Sequence, residues 1–259
     1  MYRYLILTLI CWYAFTLQLH ANEMLTEANN SYLAGEEAKN ISQRQKAFNK
    51  ALQLYSQLEK EHHPTFGNGH LYFNIGNLYF NLEEYPLAIL YYSRALPLMP
   101  RNTSLEHNLQ IAQDKIGLAL VEETSVFQPL LFLHHDFSFP ERMQIFTGLI
   151  AITVLLASLY IWVPNRWTKT FSIVAISCAF IMLASLSYST YFHPIEGIII
   201  RSSLLYRAAG TNYETVSNEP VLSGMKVEVL EVLDEGRWLK VITATGELGF
   251  IPAPTVRLT

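Results

Sequence analysis

The 259-residue chain is predicted to be a multidomain membrane protein with three architectures in series: an all-α repeat solenoid, a two-helix transmembrane hairpin and a small all-β barrel. Three observations carry this expectation. Charged residues make up 15% of the chain against 51% hydrophobic ones, where a soluble domain carries about 25% charge. Two long uncharged runs account for the deficit, and the apolar spacing changes from helical before them to alternating after them. The 22 acidic and 18 basic residues give a net charge of -4 with no basic block, so nucleic acid is not an expected partner. Cys11 and Cys178 both sit in apolar runs, and neither a disulfide framework nor a four-ligand zinc site is expected.

Residues 1–21 read as a signal peptide, with a basic start at Arg3, an apolar run over 5–19 and the small Ala21 before Asn22. Cleavage after Ala21 and retention as an anchor both remain open, and either exports the segment that begins at Asn22. Residues 143–163 and 170–192 hold no Asp, Glu, Lys or Arg. As helices, both are long enough for a hydrocarbon core of roughly 30 Å. The connection at 164–169 contains Arg166 and Lys169 and no acid, which assigns it to the cytoplasm by the positive-inside bias. The signal and the loop charge thus agree in placing both soluble parts, 22–125 and 193–259, on the outer side of one bilayer. Neither run contains an ionisable group that would serve as a proton or ion path.

Residues 22–125 have helical period. Within 69–102, Tyr72, Ile75, Gly76, Tyr79, Ala88, Tyr92, Ala95 and Pro100 stand at fixed spacing, and the stretch resembles the 34-residue tetratricopeptide repeat. Gly76, Ala88 and Ala95 are small where two antiparallel helices must touch, and the tyrosines fill the volume beside them. Pro86 suits the first turn of a second helix, and Pro97 and Pro100 stop it. One repeat cannot bury its own apolar faces. Ala28 and Tyr32 are expected in an upstream first helix, and Lys50, Ala51, Leu54, Tyr55 and Leu58 in its partner. The polar stretch 35–45 is expected to extend that first repeat. Leu105, Leu109, Ala112 and Ile116 suit a closing helix.

With 14 acids and 9 bases over 21–142, the expected ligand of this segment is a protein rather than an anionic surface. Phe73, Asn77 and Phe80, with His107 and Asn108 from the closing helix, are the candidate protein-binding residues of the inner groove. The alternative, that Phe73 and Phe80 pack against the preceding repeat, stands beside it. Residues 126–142 are expected to lie along the membrane surface. His62, His63 and His70, and likewise His134, His135 and Asp136, lack the spacing of a metal site.

After residue 192 the expected strands are 198–200, 226–233, 238–242, 248–251 and 256–258, with a tight turn at Asp234, Glu235 and Gly236. Gly224, Val227, Val229, Trp238, Leu239, Val241, Gly246, Gly249, Phe250, Ile251, Val256 and Leu258 resemble a bacterial SH3-like domain. That resemblance implies contact with proteins or with cell-wall peptidoglycan. Trp238 and Phe250 read either as core or as a ligand platform.

The order of the modules resembles the BatE-type proteins of the bacterial aerotolerance (Bat) operon over nearly the whole chain, although the irregular first repeat departs from that family's compact one. The resemblance implies a two-pass protein of the bacterial inner membrane with both soluble domains in the periplasm. It further implies a scaffold for von Willebrand A-type membrane proteins and, through them, a MoxR-type ATPase. No phosphate-binding loop, nucleophile elbow or metalloprotease motif is present in the sequence. The chain is therefore expected to be non-enzymatic and to need no cofactor. The alternative function is an envelope sensor that binds peptidoglycan through the C-terminal domain.

Overall fold

The structure is a computed structural model, and it describes residues 22–61, 68–118, 136–191 and 194–259. The signal peptide at 1–21, most of the connector at 126–142, and His62, His63, His134 and His135 lie outside the described residues.

The first helical pair consists of α1, whose described part covers residues 22–37, and α2 (Ile41–Glu61). Met24, Ala28, Ser31 and Gly35 are buried on α1, and Phe48, Ala51, Tyr55 and Leu58 on α2. Both sets step by three or four residues and so mark a single helix face. The extra length of this pair is helical. Of the polar stretch expected to form the extension, residues 35–37 end α1, 38–40 make a short break and 41–45 begin the 21-residue α2.

The second pair is α3 (Gly69–Asn81) and α4 (Tyr85–Ala95), followed by a 3-10 turn at Leu96–Leu98 and by α5 (Thr103–Lys115). Asn68 caps α3 by accepting from the His70 N–H, Pro86 occupies the first turn of α4, and Asn102 caps α5 by accepting from the Leu105 N–H. Gly76 lets α4 approach α3, since a Cβ there would stand 2.6 Å from the Tyr92 ring. Ile75, Leu78, Ala88, Tyr92, Ala95, Leu105 and Ala112 are fully enclosed. Tyr72 and Gly76 on α3 thus lie buried with Ala88, Tyr92 and Ala95 on α4.

Two helices long and apolar enough to cross a membrane come next: α6 (Phe139–Trp162, 24 residues) and α7 (Arg166–Tyr191, 26 residues). The first begins four residues before the uncharged run because Ser138 and Glu141 close a capping box, the Ser138 N–H donating to the Glu141 carboxylate at 2.8 Å. Residues 139–142, expected in the connector, therefore form its first turn. The second begins at Arg166 rather than at 170, so the connection shrinks to three residues. Ala175, Ala179, Met182 and Leu186 form the buried seam against α6, while the rest of both helices is largely apolar and exposed. Arg142 donates to the Ser185 hydroxyl at 3.0 Å and ties the start of α6 to α7. Arg101, in the turn before α5, pairs with Glu141.

The C-terminal part is a five-stranded antiparallel sheet of order β4-β3-β2-β1-β5. Its strands are β1 (Ile195–Ile199), β2 (Lys226–Leu233), β3 (Trp238–Thr243), β4 (Leu248–Pro252) and β5 (Val256–Leu258). Val227, Val229, Leu239, Val241, Ile251 and Val256 form its core with Ile199 and Leu205. The β2–β3 turn takes positive φ at Asp234, Glu235 and Gly236, the left-handed backbone of a tight hairpin. Strand β1 begins three residues before its expected start.

Candidate functional site: an asparagine–tyrosine groove on the repeat

Helices α1, α3 and α5 carry the asparagines of a polar network, and the helices paired with α1 and α3 contribute tyrosines that reach through to it. Tyr92, on α4, is fully buried, and its hydroxyl donates to Asn77 Oδ1 on α3 at 2.8 Å. Asn108 Nδ2 on α5 donates to the same oxygen at 3.0 Å. In the first pair, the Tyr55 hydroxyl on α2 donates to Asn29 Oδ1 on α1, and Asn74 Nδ2 on α3 donates to the Tyr55 oxygen at 3.4 Å. Each buried phenol is thus anchored in the core by its ring and hydrogen-bonded at its tip, as a buried tyrosine requires.

This arrangement leaves further amide valences for a ligand. Among the described residues, Asn77 Oδ1 accepts twice while its own amide hydrogens have no acceptor, and Asn74 and Asn108 enter the network through their nitrogens, with no donor to their side-chain oxygens. A neutral row of amide donors and acceptors suits the backbone of an extended peptide, whose N–H and C=O groups need the same partners. Burial holds the phenols protonated: it raises the Tyr92 hydroxyl far above its ordinary range, against a smaller opposing effect of Asn108. Tyr32, on α1, is pushed up to about 12 by burial first and then by Glu36.

The five candidate binding residues divide. Asn77 and Asn108 are joined directly. Phe73 is half-buried with its ring centroid 5.9 Å from that of Tyr92, and Phe80 lies 5.5 Å from Tyr85. Both belong to the margin of the repeat's own apolar cluster. His107 is exposed on α5, outside the network. Asn29, Tyr55 and Asn74 join the site without having been expected there. One signal in the sequence points to Asn74 among these: it stands one 34-residue period before Asn108.

A cleft of about 720 Å3 is lined by Leu52, Leu82, Glu84 and Leu87 from the helical pairs and by Ile200 and Arg201 after β1. Among the described residues, no group of three or more His, Cys, Asp or Glu side chains converges to hold a metal ion.

Paired helices joined by a glycine–tyrosine contact are the arrangement of a protein-interaction repeat. The family model described as Tetratricopeptide repeat matches residues 71–102, which comprise most of α3, all of α4 and the turn leading to α5. No curated protein matches the chain.

Proposed function

We propose that the chain is a non-enzymatic membrane scaffold that recruits partner proteins by holding an extended segment of them in the groove of its helical repeat. The observation that carries this reading is the Asn77–Tyr92–Asn108 network, which presents amide groups on the inner face of a matched tetratricopeptide repeat. In this reading α6 and α7 cross the bilayer as a hairpin, with Arg166 and Lys169 on the cytoplasmic side and both soluble parts in the periplasm, after export by residues 1–21. The partners suggested by the resemblance to BatE-type proteins are von Willebrand A-type membrane proteins linked to a MoxR-type ATPase, and the sheet is taken as SH3-like.

The test is affinity capture from detergent-solubilised membranes with wild-type chain and with a Phe73→Ala, Asn77→Ala variant. Co-purification of the same membrane proteins with the wild type, and their loss from the variant, is the expected result. Equal recovery by both would exclude the groove as the binding surface.

A second reading, cell-wall binding by residues 193–259, draws on the half-exposed Tyr206 and Trp238, whose rings meet edge-on at 5.5 Å. Such a pair offers an apolar platform for a peptide or sugar face. The full-length protein in detergent should then sediment with isolated sacculi, and a Trp238→Ala variant should not.

A further inference from the structure

The C-terminal half of strand β1, Gly197 to Ile199, is buried on both faces. Alternation along the strand sends Gly197 and Ile199 toward the sheet's own core, and Ile198 and Ile200 the other way. Ile199 belongs to the sheet cluster with Val227 and Val241, while Ile198, only 1% exposed, belongs to the repeat cluster with Ile89, Tyr92 and Leu105. An outer face of this kind is ordinarily solvated in a small antiparallel sheet. The run Ile198-Ile199-Ile200 is therefore explained only if something apolar covers it, and α4 with the end of α5 does so.

Two further contacts are built for the same junction. Gly224, just before β2, adopts φ +89, and a Cβ there would stand 2.2 Å from Ile116 Cδ1 and 3.0 Å from Ile89 Cδ1. Glycine thus meets both the backbone conformation and the close approach. Arg94 on α4 donates through Nη2 and Nε to the Leu258 carbonyl, at 2.7 and 3.2 Å, and through Nη1 to Glu59 on α2 at 3.3 Å. Its guanidinium lies 5.2 Å from the Tyr91 ring centroid, and the Tyr91 hydroxyl donates to the other Glu59 oxygen at 3.0 Å. A single arginine thereby links α2, α4 and the last strand.

We infer that the outward face of β1 is an interaction surface whose partner is the chain's own repeat, so that the C-terminal sheet is a fixed brace of the solenoid rather than a freely tethered module. The brace closes the sheet-facing side of α4 to external proteins and leaves the asparagine groove as the repeat's recruiting surface. It also requires the segments before α6 and after α7, although separated by the apolar hairpin, to occupy the same side of any bilayer. The brace itself does not depend on groove binding.

The experiment uses the full chain with Cys11 and Cys178 replaced by serine and with Leu118→Cys and Ser223→Cys added, because Leu118 lies beside Gly224. In intact membranes, a membrane-impermeant maleimide should label both sites from the same side. A short bismaleimide should join them within one chain, as read by mass spectrometry of the linked peptides. Adding Arg94→Ala and Ile200→Glu, neither of which enters the sheet's own core, should lower the cross-link yield by about five-fold or more. Labelling from opposite sides, absence of the cross-link in the folded chain, or a yield unaffected by the two substitutions would overturn the brace. Loss of partner capture with the cross-link intact would support the brace and fault the groove alone.

Discussion

Tyr92 and Asn77 connect the core of the repeat to its inner face: the ring of Tyr92 is enclosed among α3, α4 and α5, and its hydroxyl donates to Asn77 Oδ1 at 2.8 Å. Core packing therefore positions Asn77, the residue proposed to contact a partner. Asn77→Ala should strand the phenol and cost about 1–2 kcal/mol, while Tyr92→Phe should cost about 1 kcal/mol. The double variant should lose less than the sum, as read by urea denaturation, because both changes break the same bond.

At Gly76 the Tyr92 ring of α4 packs directly against the α3 backbone. Gly76→Ala improves helix propensity by about 1 kcal/mol, but its Cβ would stand 2.6 Å from two atoms of the Tyr92 ring. Tyr92 is fully buried and has no room to retreat. The clash should prevail, with a net loss of about 1–2 kcal/mol and a lower melting temperature by circular dichroism.

The α3–α4 turn places Glu83 at φ 64, a left-handed conformation that a side chain resists. Glu83→Gly should stabilise the repeat by about 1 kcal/mol, measured by thermal unfolding. An unchanged or lower midpoint would show that the turn is not strained.

Alkali should unfold the repeat. Burial raises Tyr55, Tyr72, Tyr79, Tyr91 and Tyr92 above the ordinary value of 10.0 and pushes Tyr32 up to about 12. A pKa higher in the folded than in the unfolded chain means that the stabilisation is complete below about pH 10 and is lost as pH rises through the folded value. Helical signal should therefore fall between about pH 10 and 12, with phenolate absorbance rising in step. Ordinary tyrosine titration with the helices intact would contradict the enclosed positions of these rings.

The repeat and the apolar helices are legible in the sequence because each is written in local spacing. Gly76, Ala88 and Ala95 are small at fixed intervals, and the runs at 143–163 and 170–192 declare themselves by length and lack of charge. The helix starts at Phe139 and Arg166 are less so, since the capping pair Ser138 and Glu141 overrides the charge boundary that marks the first run. Within the site, Asn77 and Asn108 can be found by helix position and Asn74 by its repeat-length offset from Asn108, whereas Asn29 escapes because no local spacing ties it to Tyr55, 26 residues away.

By itself the sequence determined which segments are helical or extended, where the chain is apolar enough to enter lipid, and that residues 69–102 form a repeat, because those properties depend on neighbours within a few residues. Only the tertiary structure decided that Ile198 is enclosed by the helices, that Arg94 holds the carbonyl of Leu258, and that Tyr92 meets Asn77. Those hydrogen bonds join residues 15 and 164 positions apart, and which face meets which is fixed by shape and burial across the whole fold rather than by any local pattern.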